Sequence, residues 1–293
     1  MKKSSNLTLV LAVLLAAAVV FSKQFLPSVA PQAPSGAGAG TELHFIDVGQ
    51  GDASLIVSGE SAVLIDGGKQ SAGDTLVDYL TRHGVASLDA VVATHPHEDH
   101  IGGLVDVFEA FDVRAVYLSD EAMDTRIYEK LLDAIDAEGI QPEFPDIGDT
   151  IPLGENGVFT VLAPGAHSSE TYGDDPNTWS LVLRLDADGC SALFTGDTTA
   201  RVEEDMLAEN LALLNCNVLK VAHHGSRTAS GAAFLEAVSP EYAVISYAQG
   251  NSYGLPDEEI FERLAPIGTE IFETAIHGSV VLTMYNGEVG VAS

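Results

Sequence analysis

From residue 41 onward, short apolar runs alternate with amphipathic ones. ELHFIDV (42–48), ASLIVS (53–58) and SAVLID (61–66) read as three successive strands joined by GQGD and SGE turns. The apolar spacing predicts a helix over 73–83, then a strand at LDAVVAT (88–94) and a short helix after residue 100. RAVYLS (114–119) continues as a strand, and DTRIYEKLLDAIDAEG (124–139) is an amphipathic helix closed by Gly139. GVFTVLAP, WSLVLRLDA, CSALFTGD and NVLKVAHHG read as four further strands, with helices over 199–211 and 232–238. YAVISY, a helix over 256–264, TEIFET and SVVLTMY complete the chain, and no internal repeat is present. Strands at both ends with helices between them predict an α/β fold of two mixed sheets packed face to face, helices outside.

The first 41 residues follow another pattern. Lys2 and Lys3 precede an uncharged run over 4–22 containing LTLVLAVLLAAAVVF, the layout of an export signal or membrane anchor. Residues 23–41 are a Pro/Ala/Gly linker, which leaves 42–293 as the folded domain. The small-x-small sites SVA and PQA are each followed by proline, Pro31 and Pro34, which hinders cleavage there. That favours a retained anchor, with cleavage inside GAGAG (36–40) as the rival. Either way Lys2 and Lys3 stay inside and the remainder is exported, membrane-bound only if the segment stays on.

Composition narrows the partners. At 293 residues and 46% hydrophobic content, the chain can build a full core. It carries 43 acidic against 13 basic residues, a net charge of −30, and past residue 40 only Lys69, Lys130 and Lys220 remain as lysines. Such a surface is soluble and repels polyanions, and it lacks the basic stripe of nucleic-acid binders. Two cysteines, Cys190 and Cys216, are too few for a disulfide framework.

The chemistry concentrates in THPHEDHIGG (94–103). His95 and His97 alternate at a strand end and share a face, so both imidazoles can grip one ion. Asp99 and His100 fall where the chain turns toward a helix and can grip a second, and Gly102 and Gly103 permit the turn. Two clusters occupy the same kind of position: Asp197 in LFTGD, and His223 and His224 in LKVAHHGS. Nitrogen and oxygen donors of this kind suit Zn²⁺, Mn²⁺ or Fe.

With HFIDVGQGDA (44–53), LIDGG (64–68), SLVLRL (180–185) and SYGLP (252–256), these motifs resemble the metallo-β-lactamase fold. They are most similar to the metallo-β-lactamase-like domain of ComEC competence proteins and its stand-alone relatives. The resemblance implies a four-layer αββα sandwich with two divalent ions, Zn²⁺ or Mn²⁺, held between the sheets. It assigns His95, His97 and Asp197 to one ion and Asp99, His100, His223 and Asp197 to the other, with Asp197 bridging and Asp66 orienting a ligand. Asp99 and Asp197 are then central to catalysis, in which a hydroxide shared by the ions attacks an ester centre. Asp47 and Asp52 either line the cleft or form the first turn.

Two departures from the family pattern shape the function. DDPNTWS lacks the third histidine that many members supply to the first metal, so Asn177 is the candidate there, and His167 reads as a loop residue. Leu255 stands where the family often has histidine, leaving His224, Ser226, Tyr253 or His277 as substitutes near substrate. A helix opening at Ser226 and Arg227 would offer backbone N–H groups to an anionic oxygen. If the Cys190 and Cys216 strands are parallel neighbours, as the fold implies, the cysteines sit level and a disulfide between them becomes feasible. The expected function is an exported hydrolase of a phosphodiester or related ester, with DNA as one candidate substrate. A neutral ester, lactone or thioester substrate and a non-catalytic metal-bearing surface domain are the alternatives, and the oligomeric state is left open.

Overall fold

A computed structural model of the chain describes residues 40–155 and 157–292, so the N-terminal segment and nearly all of the linker lie outside the described residues. Sixteen strands are seen among the described residues. The first large sheet contains β1 (Thr41–Phe45), β2 (Ser54–Ser58), β3 (Ser61–Ile65), β5 (Ala90–Ala93), β7 (Val116–Leu118), β15 (Val280–Tyr285) and β16 (Glu288–Val291). Its order is β16-β15-β1-β2-β3-β5-β7, so the carboxyl end of the chain returns to pair with its start. The second holds β8 (Thr150–Leu153), β9 (Gly157–Ala163), β10 (Val182–Ala187), β11 (Cys190–Phe194), β12 (Val218–Lys220), β13 (Tyr242–Ile245) and β14 (Glu270–Glu273). These lie in the order β14-β13-β12-β11-β10-β9-β8. Two short strands, β4 (Ser87–Leu88) and β6 (Asp112–Val113), pair separately.

Alternation along the strands explains the layering. Leu43, Phe45, Ile56, Val63 and Val92 of the first sheet meet Phe159, Leu183, Leu185 and Phe194 of the second in one buried layer, with Phe45 stacked on Phe194 at 5.9 Å. The opposite residues of the first sheet, Leu55, Leu64 and Val91, pack against α1 (Gly73–Arg82), α2 (Glu98–Ile101), α3 (Leu104–Ala110) and α4 (Arg126–Ala137). On the second sheet, Leu193, Leu219 and Ala243 pack outward against helices. The short α5 (Ser168–Tyr172) precedes β10; α6 (Ala200–Glu209), α7 (Leu211–Leu214), α8 (Ala232–Val238) and α9 (Glu258–Leu264) contribute to that outer layer, and α10 (Thr274–His277) follows β14. The expected αββα sandwich is therefore the fold.

Two differences from the sequence reading concern sheet edges. β8 and β16 were not expected: TIPL contains a proline and EVGV a glycine, and each is short. Both are outermost in their sheets, where a missing ladder donor and weak patterning are tolerated. The expected single strand over 88–94 divides because Leu88 pairs in the small sheet while Ala90 to Ala93 join the large one.

The cysteines do not pair. β11 and β12 are parallel neighbours with Ala192 opposite Val218, which does set Cys190 level with Cys216. Yet β12 begins only at Val218, and the two thiols go to opposite sides of the sheet. Cys190 packs into the layer between sheets and Cys216 into the helical layer, where its thiol donates to Val218 O at 3.1 Å. Burial pushes the Cys216 thiol up to about 12. The native protein is expected to react slowly with Ellman's reagent, and both thiols to appear in denaturant without reductant.

A buried ion pair ties the two sheets together. Lys220 at the end of β12 donates to Asp52 Oδ2 at 2.8 Å and to Val221 O at 3.0 Å. Asp52 sits in the turn between β1 and β2, and both residues are 3% exposed or less. Removing one partner strands a buried charge. Lys220→Met should therefore cost about 3–5 kcal/mol in urea unfolding, and adding Asp52→Asn should recover a good part of it. An additive pair of effects would show that the ion pair is not what joins the sheets.

Candidate metal centre

Most polar groups of the site sit just beyond a strand end, and Asp99 and His100 lie on α2. β3 runs into Asp66, β5 into Thr94–His95, β11 into Asp197 and β12 into the His223–His224 turn. Three loops are sewn together by backbone bonds: Gly67 N donates to His100 O (2.6 Å), Asp52 N to Asp99 O (3.1 Å) and Gly68 N to Asp52 O (2.8 Å). Gly51, at φ +149°, and Gly103 permit this, because a Cβ on either would strike the backbone carbonyl of Asp99 or Gly67.

Asp66 organises two histidines. Its Oδ1 accepts from Thr94 N and its Oδ2 from Thr94 Oγ1, each at 2.8 Å. Oδ2 also accepts from His100 Nδ1 at 2.8 Å, which leaves His100 Nε2 facing the centre. Because the Thr94 hydroxyl proton goes to Asp66, Thr94 Oγ1 accepts from His95 Nδ1 at 3.2 Å, and His95 Nε2 points inward too. His224 is fixed differently: its Nδ1 donates to Ser246 O at 2.9 Å. In all three a second partner sets the tautomer and leaves Nε2 to the centre, as in metal-ligating histidines.

Two groups of donors that share no residue result, and a third, Asp52, His100 and Asp197, overlaps both. His95, His97 and Asp197 form one, with His95 Nε2 3.0 Å from His97 Nδ1 and 3.9 Å from Asp197 Oδ2. Asp99, His100 and His224 form the other, with His224 Nε2 3.4 Å from Asp99 Oδ2. Asp197 lies between them, its Oδ1 3.2 Å from His100 Nε2 and its Oδ2 3.6 Å from His224 Nε2. A tetrahedral ion with bonds of about 2.0–2.1 Å spaces its ligands by roughly 3.3 Å, close to these separations. His100 Nε2, His224 Nε2 and Asp197 Oδ1 are buried without any hydrogen-bond partner in the protein. Such orphaned donor atoms are costly unless a further group satisfies them, so the residues fit divalent metal.

Electrostatics agree. Burial would by itself lower His100 and His224, but Asp197 and the neighbouring carboxylates hold His100 well above its ordinary value and lift His224 to about 10. Burial would raise Asp197, and the surrounding imidazoles hold it well below the carboxylate range. Desolvation leaves His95 neutral, well below its ordinary value. For Asp52, burial is outweighed by Lys220 and His224, which bring it to about 2. Without a metal, protons on His100 and His224 supply the positive charge that this nest of carboxylates demands.

The geometry distinguishes His223 from His224. LKVAHHG was read as one extended strand, but the chain leaves β12 at Lys220 and curls, with both histidines at positive φ (50° and 53°). His224 is thereby turned into the centre, 2% exposed. His223 faces the cleft with a quarter of its side chain exposed, its Nε2 3.7 Å from Asp197 Oδ2, outside both donor groups. Ser226 opens no helix: it bonds Thr228 Oγ1 at 2.9 Å, and the next helix starts at Ala232. The anion-binding helix start expected there is absent.

The remaining expected residues divide cleanly. A cleft of about 300 Å³ opens over the centre, and Asn177, Tyr253 and Leu255 line it with His97, Asp99 and His223. Asn177 Oδ1 has no protein partner, and Tyr253 is exposed at the rim. Asp47 is a turn residue whose Oδ1 accepts from Gly49 N, and His167 and His277 pair with Asp120 and Glu273 on the surface, outside the cleft. Sequence reasoning passed over Thr94, Ser246, Lys220, Gln50 and Lys69. Thr94 sits beside the motif and was legible; Ser246 acts through its backbone carbonyl and left no signal.

Residues 46–249 match the family model of the metallo-beta-lactamase superfamily. The chain is 29% identical to ComE operon protein 3 of Bacillus subtilis (strain 168), over 86% of this chain and 34% of that protein. It is 33% identical to Competence protein ComA of Neisseria gonorrhoeae, over 83% and 32%. It thus spans about a third of the length of these curated relatives. Among solved structures, the metallo-beta-lactamase fold protein YhfI from Bacillus subtilis shares the fold, with a TM-score of 0.56 at 13% identity over 83% of this chain and 99% of that one. Matched motifs, layered sheets and donor groups at their strand ends agree: the chain belongs to the metallo-beta-lactamase superfamily.

Proposed function

We propose that this chain is an exported, two-metal hydrolase of phosphodiester or related ester bonds. The observation that carries it is the convergence of unsatisfied His100 Nε2, His224 Nε2 and Asp197 Oδ1 beside the His95–His97 pair, beneath an open cleft. Zn²⁺ or Mn²⁺ held there would supply Lewis acidity and an activated water. His95 and His97 with Asp197 would hold one ion, and Asp99, His100 and His224 with Asp197 the other.

The chain's own groups then have separate tasks. Asp66 fixes His100 directly and His95 through Thr94, so the inward nitrogens stay unprotonated when metal is bound. Leu255 offers no proton to a departing alkoxide. His223 does: its Nε2 faces the cleft beside Asp197 without belonging to either donor group, and it protonates the leaving oxygen. Export rests on Lys2, Lys3 and the apolar run after them; the described residues contain no helix long and apolar enough to cross a membrane.

A neutral ester or thioester is the second reading, favoured by the net charge of −30 and by leucine at position 255. Relative rates on bis-p-nitrophenyl phosphate, a lactone and a thioester separate the two. If metal-loaded protein turned over none of them, the hydrolase reading would fall.

Elemental analysis of the purified chain should find about two ions, and Asp197→Asn or His224→Ala should lower the content to one or fewer and kcat at least 100-fold. His223→Gln should keep both ions yet lower kcat by about 10²–10⁴, the usual worth of general acid catalysis. Loss of metal from the His223 variant with retention in the His224 variant would reverse their roles.

Metal must displace protons from His100 and His224. Calorimetry at pH 7 in buffers of differing ionisation enthalpy should therefore show about two protons released, with affinity rising as pH rises. In the metal-free chain the folded-state value of His224, about 10, lies above the ordinary 6.5. Its contribution to stability is complete below about pH 6.5 and is lost as pH rises through 10. Metal-free protein should thus lose thermal stability from pH 7 to 10, and metal-loaded protein should lose less.

A further inference from the structure

The side of the cleft formed by the first sheet carries two donors that the metal chemistry does not use. Lys69 follows β3 and lines the cleft, and among the described residues its ammonium forms no ion pair and no side-chain hydrogen bond. Glu98 and Asp99 line the same cleft without pairing with it. Gln50, in the turn after β1, is the second. Its Oε1 accepts from Ala248 N at 3.2 Å, which turns the amide NH₂ away from that contact. Gln50 is 8% exposed and lines the cleft, yet its Nε2 has no partner in the protein. A buried amide donor without an acceptor is costly, and an arriving oxygen relieves that cost.

We propose that Lys69, assisted by Gln50, is an anion subsite that selects a small ester carrying a single negative charge at or beside the scissile bond. The proposal rests on the hydrolase reading above and narrows its substrate class. Two features argue against a polymer. Among the described residues Lys69 is the only lysine or arginine lining the cleft, whereas a polynucleotide is held by many phosphate contacts spread along its backbone. The net charge of −30 repels the rest of such a chain. One ammonium beside a cleft of about 300 Å³ suits one phosphate or carboxylate.

The mode of action is positional. The ammonium attracts and orients the charged group, so its loss falls on KM more than on kcat. Arginine can replace the charge, while methionine keeps the stem and removes it.

The test uses the purified full chain with bis-p-nitrophenyl phosphate as the small anionic ester, p-nitrophenyl acetate as the neutral one, and a 20-nucleotide single strand as the polymer. Lys69→Met should raise KM for the phosphodiester about tenfold while kcat changes less than threefold. Lys69→Arg should recover most of the loss. The preference for the phosphodiester over the acetate should fall by the same factor, and wild-type protein should cleave the oligonucleotide at least tenfold less efficiently per bond. Titration calorimetry with diphenyl phosphate gives a readout independent of turnover, and Lys69→Met should weaken that binding about tenfold. Unchanged binding and unchanged KM would overturn the subsite while leaving the hydrolase reading intact. Efficient oligonucleotide cleavage would overturn the restriction to small substrates. Absence of turnover with Lys69-dependent diphenyl phosphate binding would remove the hydrolase reading and keep the subsite.

Discussion

The structure is governed by the need to keep carboxylates charged where there is almost no water. Asp52, Asp66 and Asp197 are each 3% exposed or less, at the end of a layer built from Leu43, Phe45, Phe194 and their neighbours. An unpaired carboxylate in such a place is not tolerable. Asp52 and Asp66 are given donors by different elements, and Asp197 is ringed by imidazoles. Lys220 reaches Asp52 from the opposite sheet, Thr94 and His100 satisfy Asp66, and Asp197 has the surrounding imidazoles. Because those donors come from both sheets, the charge problem also fixes how the sheets face one another.

The topology explains why one place can collect so many polar groups. β3, β5 and β7 are parallel in the first sheet, and β11, β12 and β13 in the second. Parallel strands discharge their following loops at a common edge, which is where ligands bind in α/β folds. Leu181 N donates to Thr94 O across the sandwich, so the start of β10 is pinned to the histidine loop. The site is rigid for the same reason that it is polar: its loops are anchored at strand ends and bonded to one another.

Much of this was legible in the sequence. Alternation over 42–66 and 179–197 marked the paired sheets, and the HxHxDH spacing marked the centre. What was not legible has specific causes. The edge strands β8 and β16 were missed because each is short and interrupted, by Pro152 and Gly290 respectively, although β8 does bury Ile151 and Leu153. That His224 turns further inward than His223 follows from backbone conformation: two non-glycine residues at positive φ are a local decision that apolar spacing does not encode. The role of Lys220 is fixed by tertiary contact with a residue 168 positions away, and a lone lysine at a strand end carries no mark of that. At Cys190 and Cys216 the register followed from the fold, while the side-chain direction that decides against pairing was not legible.

Charge also connects the centre to its cleft. Asp52, Asp66, Asp99 and Asp197 contribute four formal negative charges around the donor groups, and Lys220 contributes one positive charge. A single divalent ion would leave the cluster negative by one, whereas two make it positive by one. In a protein of net charge −30, an anionic ester is admitted only where the local sign is reversed. On the proposed reading, two ions would achieve that reversal at the floor of the cleft, and Lys69 would extend it to the wall. Away from that ammonium the net charge of −30 sets the sign. The same electrostatics that draws in one charged group therefore discourages a long chain of them, so the lack of a basic stripe is consistent with anionic substrates as long as they are small.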